Sequence, residues 1–157
     1  MSARTRDLPR RSCLSVPGSS EKMLGKGPTL PADMVFLDME DSVAPLEKEA
    51  ARGKVVDAIK DQDWGEKILC VRVNAWDTQW TYGDVIEVVG NAGERLEEIM
   101  LPKVQTAGQV EALDLLLTAR AIDAEEAKRV GLVNEVRPTK ELDEFVRERA
   151  GRIAENA

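Results

Sequence analysis

The sequence predicts an α/β fold built around a parallel sheet. Four short apolar runs, at about 12–16, 34–38, 68–73 and 98–103, are bounded by turn residues and are too short for helices. Runs of that kind are strands buried on both faces. Helical patterns separate them, and this alternation calls for parallel pairing with right-handed crossovers. At 157 residues the chain is one domain by length, with enough apolar content for a core.

Residues 1–9 read as a disordered start. The first strand, 12–16, is stopped by the turn dipeptide Pro17-Gly18. A helix belongs over 20–30 by position, although Gly25, Gly27 and Pro28 make it a poor helix former. After the second strand, 34–38, Pro45 opens a helix, where its missing amide costs nothing. Ala51, Val55, Ala58 and Ile59 lie on one face of that helix. The third strand leads into a loop carrying Trp76 and Trp80, then a weaker helix over 81–90 with Val85, Val88 and Val89 on one side. Beyond the fourth strand, Thr106-Ala107-Gly108-Gln109 has the form of a capping box, and Val110, Leu113, Leu116 and Leu117 predict a buried stripe. The tail breaks the alternation. Asp123, with Glu126 three residues on, caps a short helix ending near Gly131. Pro138-Thr139 introduces a last helix with Leu142, Phe145, Val146, Ala150 and Ile153 on one side.

Composition narrows the functions. A net charge of −7 argues against nucleic acid as a partner, because phosphate binding needs clustered Lys and Arg. The small N-terminal group Arg4, Arg6, Arg10 and Arg11 reads as a solvated tail. No stretch is long and apolar enough for a membrane span, and no signal-peptide core is present. Cys13 and Cys70 fall in strands expected to be buried and make no disulfide framework, so the cytoplasm is the expected compartment. The chain has no histidine. Ser-His-Asp and Cys-His nucleophiles and His-ligated metals are thereby excluded, and any metal must be an oxygen-ligated ion such as Mg²⁺.

Chemistry concentrates where the second strand runs out into Asp38-Met39-Glu40-Asp41. Acids at the C-terminal end of a buried strand build metal and oxyanion sites in α/β enzymes. They also occur at strand-to-helix junctions because they favour a helix N-terminus. In an extended chain Asp38 and Glu40 point one way and Asp41 the other. Arg72, between Val71 and Val73, would be costly to bury unpaired. Its planar fork suits a substrate carboxylate, and an internal ion pair with Asp38 or Glu40 is the alternative. Lys103, at the end of the fourth strand, is a possible anion ligand or an ordinary surface lysine. Ser12, Ser15 and Ser19 lack a base and a phosphate-loop spacing. Trp76 and Trp80, four apart, would pack at the end of the sheet or stack on an adenine.

Four motifs support a resemblance. Arg11-Ser12-Cys13-Leu14-Ser15-Val16-Pro17-Gly18 precedes the acidic strand, and Glu47-Lys48-Glu49-Ala50-Ala51-Arg52 follows it. Val71-Arg72-Val73-Asn74 and Ile99-Met100-Leu101-Pro102-Lys103-Val104 come later. In this order, residues from about 10 to 117 resemble the citrate lyase β-subunit-like group of the HpcH/HpaI aldolases, which includes malyl-CoA and citramalyl-CoA lyases. The resemblance implies the N-terminal half of a TIM (β/α)₈ barrel followed by a helical tail. It also implies a Mg²⁺-dependent aldol-type cleavage of a 3-hydroxyacyl-CoA to acetyl-CoA or a relative plus an oxo acid. Arg72 would bind the oxo acid or its metal-bound carbonyl, with Asp38, Glu40 and Asp41 as acids near the metal but not its ligands. The family's metal carboxylates lie on later strands and match nothing here, so the implied activity is impaired.

From about 115 to 157, Leu115 to Ala127, then Gly131-Leu132-Val133-Asn134-Glu135-Val136 and Arg152 to Ala157, resemble the C-terminal part of the enoyl-CoA hydratase (crotonase) family. The expected organisation is a disordered 1–9, a partial aldolase-type barrel over 10–117 and a crotonase-like helical segment over 118–157. Two functions stay open: the lyase, and a non-catalytic chimeric remnant or binding module. An enoyl-CoA hydratase is the weaker third. An acyl-CoA substrate and a homo-oligomer are the expected partners, the latter because a half-barrel leaves open edges.

Overall fold

Four parallel strands, in the order β1-β2-β3-β4, form the sheet of the computed structural model, which describes residues 8–155. Arg4, Arg6, most of the expected disordered start and residues 156–157 lie outside the described residues. The strands are β1 (Cys13–Pro17), β2 (Met34–Asp38), β3 (Ile68–Arg72) and β4 (Glu98–Met100). Between them run α1 (Glu21–Lys26), α2 (Lys48–Asp61) and α3 (Thr81–Ala92), and α4 (Ala107–Thr118), α5 (Ala124–Arg129) and α6 (Thr139–Glu155) follow. The chain divides into two compact units, one ending at Gln105 and the other beginning at Thr106.

In the first unit, the pleat sends Val35, Leu37, Leu69 and Val71 to one face, where all four are buried. The predicted stripe of α2, Ala51, Val55, Ala58 and Ile59, is buried with them, as are Val85 and Val88 of α3. Alternate residues face the other way and divide by position along the strands. Met34, Ile68 and Cys70 form a buried apolar cluster against which Leu8, Phe36 and Met100 pack. Beyond that cluster, at the C-terminal ends, the same face carries Asp38 and Arg72, which the register sets opposite each other. Pro17 ends β1, an edge strand, where a missing amide leaves no gap in the ladder.

Several expectations are corrected. The fourth strand is three residues long, not six. Pro102 cannot donate to the ladder, and Lys103 takes a left-handed backbone (φ 52°), so the chain leaves the sheet before Lys103. Cys13 is exposed, because it opens an edge strand; Cys70 is buried, as predicted.

In the second unit the Thr106 side chain makes no capping hydrogen bond; its carbonyl accepts from the Gln109 amide instead. The buried side of α4 is Ala112, Leu113 and Leu115, with Leu116 half-buried, whereas Val110 and Leu117 are 52% and 43% exposed. Three consecutive leucines give no periodicity of their own, and Ala112 marks the inner side better than Val110 does. Asp123 caps α5 as predicted, accepting from the Glu126 amide at 2.8 Å. Gly131, at φ 80°, turns the chain just beyond α5, a backbone that glycine adopts without strain. In α6 no residue is buried, and Leu142, Val146 and Ile153 of the predicted stripe are exposed.

Candidate functional site

The C-terminal ends of β1, β2 and β3 bring together the acidic run and Arg72. The Asp38 side chain is buried and fully used. Its Oδ1 accepts from Arg72 Nε (2.9 Å) and the Glu40 amide (2.8 Å). Its Oδ2 accepts from Arg72 Nη2 (2.7 Å) and the Ser42 amide (3.2 Å). Burial by itself would raise the Asp38 pKa, but the Arg72 fork and the contacts from Ser42 and Glu40 outweigh it and hold the carboxyl down at about 2. Gly18 makes the close approach possible from the β1 side. Its amide donates to the Asp38 carbonyl at 2.8 Å, and a Cβ there would meet that oxygen and Val55, each at 2.8 Å.

Arg72 remains 21% exposed along its side chain, lies 5.2 Å over the Phe36 ring and turns Nη1 to Glu40 Oε2 at 3.4 Å. Of the two openings left for Arg72 by the sequence, the internal ion pair is present: Nε and Nη2 bond Asp38, and Nη1 faces Glu40. Lys103, outside the strand, reaches back to Glu40 Oε1 (2.6 Å) and Asp41 Oδ1 (2.9 Å). Glu40 and Asp41 thus converge on one ammonium, whereas strand alternation would have separated them. The reason is that β2 ends at Asp38 and the acids beyond it lie on a turn. Hydrogen bonding to Lys103 lowers the Asp41 pKa, and Glu40 and Asp41 raise that of Lys103.

A second polar layer beneath this corner carries residues to which the sequence reading gave no role. The buried Lys48 ammonium donates to the carbonyls of Met39 (3.1 Å) and Glu40 (2.8 Å) and to Asn74 Oδ1 (2.6 Å). It also sits 5.2 Å from the Trp80 ring, and desolvation lowers its pKa. Asn74 donates to Asp84 Oδ2 through its amide (2.9 Å) and Nδ2 (2.7 Å), while Asp84 Oδ1 takes Arg52 Nε at 2.8 Å. Gly83 leaves room for this pair, since a Cβ there would lie 2.6 Å from the Arg52 guanidinium. The signal was present: Lys48 and Arg52 continue the stripe of Ala51, Val55 and Ile59, placing two cations on the inward face of α2. Trp76 packs on Tyr82, with ring centroids 5.3 Å apart and the rings tilted, and Trp76 and Trp80 are both half-buried. Ser12 holds the N-terminal side of β2 through the Asp33 amide (3.0 Å), away from the acidic corner.

The corner does not fit a divalent cation. Asp38 already accepts four donors, and Glu40 and Asp41 share Lys103. Among the described residues, the one buried carboxylate oxygen without a hydrogen-bond donor is Glu40 Oε2, which lies beside the Arg72 guanidinium. Mg²⁺ is usually held through one or two carboxylates, and each carboxylate here already has a cationic partner. Among the described residues no group of three or more acids and cysteines is placed to hold a metal.

The pattern of the HpcH/HpaI aldolase/citrate lyase family matches residues 11–137. The chain belongs to this family. The L-malyl-CoA/β-methylmalyl-CoA lyase of Cereibacter sphaeroides is 46% identical over 111 residues, covering 71% of this chain and 35% of the lyase. A (3S)-malyl-CoA thioesterase of the same species is 37% identical over 126 residues, covering 80% and 43%. Among solved structures, the citrate lyase β subunit of M. tuberculosis complexed with oxaloacetate and magnesium is 34% identical with a TM-score of 0.55, covering 66% of this chain and 44% of that one. The chain therefore spans about a third of the length of its malyl-CoA lyase relatives. The family match also continues past residue 117, where the sequence reading ended the aldolase resemblance. Among the described residues, no helix is long and apolar enough to cross a membrane.

Proposed function

We propose that the chain serves a carbon–carbon lyase reaction of the citrate lyase β-subunit type: aldol-type cleavage of a 3-hydroxyacyl-CoA such as malyl-CoA or citramalyl-CoA. Its sheet is read as the first half of a TIM barrel, its substrate as a cytoplasmic CoA thioester, and Arg72 as the group that receives the carboxylate of the oxo acid. One observation carries this reading. Arg72 is fixed at the C-terminal sheet edge by a two-pronged bond to buried Asp38, its side chain stays 21% exposed, and it shares Glu40 with Lys103. A carboxylate arriving there would displace Glu40 from Nη1 and meet a cation already oriented. Asp38, Glu40 and Asp41 act as supports for the two cations.

The family reading brings Mg²⁺, which supplies Lewis-acid stabilisation when bound. The carboxylates of this corner are committed elsewhere, so the proposal includes impaired turnover by the chain on its own. The test combines oxaloacetate binding by calorimetry with release of acetyl-CoA from malyl-CoA. Weak oxo-acid binding that disappears in Arg72→Ala, with slow or no cleavage, is the expected pair of results. Equal binding by both proteins would overturn the role of Arg72, and robust Mg²⁺-dependent cleavage would overturn the impairment.

A second reading, a non-catalytic binding module, is favoured by the two sheet edges at β1 and β4, each paired on one side within the sheet. The crotonase-like reading of about 115–157 concerns the origin of that segment; the family match to residue 137 counts against a junction at 117.

A further inference from the structure

We propose that α6 is a self-association helix, pairing antiparallel with α6 of a second copy of this chain. The inference is independent of the lyase reading, since α6 begins beyond residue 137, where the family match stops. On a 100° helical wheel, Leu142, Val146, Arg149 and Ile153 make one narrow stripe, flanked by Phe145 and Ala150. Leu142, Val146 and Ile153 are 42%, 53% and 67% exposed. An amphipathic helix of 17 residues gains most of its stability from burying such a face, and this one is uncovered.

The charges point to a second copy as the occupant. The first half of α6 carries Glu141, Asp143 and Glu144 against Lys140 and is net acidic, and the second half carries Arg147, Arg149 and Arg152 against Glu148 and Glu155 and is net basic. Helices running in opposite directions set each acidic half against the partner's basic half, whereas a parallel pair would set like against like. Leu142 then lies opposite the partner's Ile153. On one flank Glu141 comes level with the partner's Arg152, which within a single copy bonds Glu148. Within one copy, Arg137 and Arg149 lie 4.7 and 5.9 Å from the Phe145 ring, so Phe145 is already lined by cations at the edge of the stripe.

The test is sedimentation equilibrium of the whole chain across micromolar concentrations. A reversible dimer is expected. Val146→Glu should weaken it at least ~tenfold without loss of helix by circular dichroism, since Val146 is exposed in the single copy. Glu141→Arg and Arg152→Glu should each weaken it, and the double exchange should restore it. In a Cys13→Ser background, a mixture of Leu142→Cys and Ile153→Cys chains should cross-link between the two variants in preference to either with itself. A monomer at every concentration, or a dimer indifferent to Val146→Glu, would overturn the proposal. Preferential 142-to-142 cross-linking would overturn the antiparallel geometry.

Discussion

Asp38 and Arg72, 34 residues apart and directly opposite in the β2–β3 register, are joined by two nearly parallel hydrogen bonds of 2.7 and 2.9 Å. This pair closes the charged end of a sheet face whose other end is apolar. Two-pronged pairs of this kind fix orientation as well as energy.

The pair makes stability depend on acid. Asp38 titrates at about 2 when folded, against an ordinary value of 3.8. A lowered pKa means stability present above the unfolded value and lost as pH falls through the folded one. Between about pH 4 and 2 the chain should lose about 2 kcal/mol from this group. Urea melts at a series of pH values, compared with Asp38→Asn, would show it; an equal acid slope in the variant would refute the assignment.

Lys48→Met should destabilise more than its conservative volume suggests. It strands the Met39 and Glu40 carbonyls and Asn74 Oδ1, which are buried acceptors of one ammonium. The loss should be about 2–3 kcal/mol, read as a shift in urea midpoint at unchanged slope. A neutral outcome would mean that water replaces the ammonium.

The two thiols should separate cleanly. Cys13 is exposed, though desolvation raises its pKa somewhat; Cys70 is buried, and desolvation pushes its thiol up to about 12. One equivalent of a thiol reagent should react natively and the second only on unfolding. Two native equivalents would contradict the packing around Met34 and Ile68.

Lys103→Met should turn the acidic corner towards cations. With the ammonium gone, Glu40 and Asp41 lose their shared partner. Titration with Mg²⁺ or Mn²⁺ should show negligible binding by the parent chain at this corner and measurable, weak binding by the variant. Equal affinity in both would show that Lys103 does not occupy the place of a cation.

Much of this was legible in the residues. The strand positions and the α2 stripe followed from apolar runs and helical spacing, and the burial cost of a lone guanidinium pointed Arg72 to Asp38 or Glu40. What escaped depended on where regular structure stops. Alternation separates Glu40 from Asp41 only while the strand lasts, and β2 ends two residues earlier. Lys103 was counted in a strand that Pro102 interrupts, so its reach back to Glu40 was invisible. Asn74 and Asp84 are ordinary polar residues in sequence; their bond across a loop needs the three-dimensional approach of α3 to the end of β3.

The order of the sheet has a consequence for how the molecule forms. Every strand pairs with the one synthesised just before it, so each addition closes a loop of a few tens of residues and never waits for a distant segment. A nascent chain can therefore assemble this sheet vectorially, each new strand docking on a template already in place. The Asp38–Arg72 bond needs only β2 and β3, so it can set their register before β4 is added.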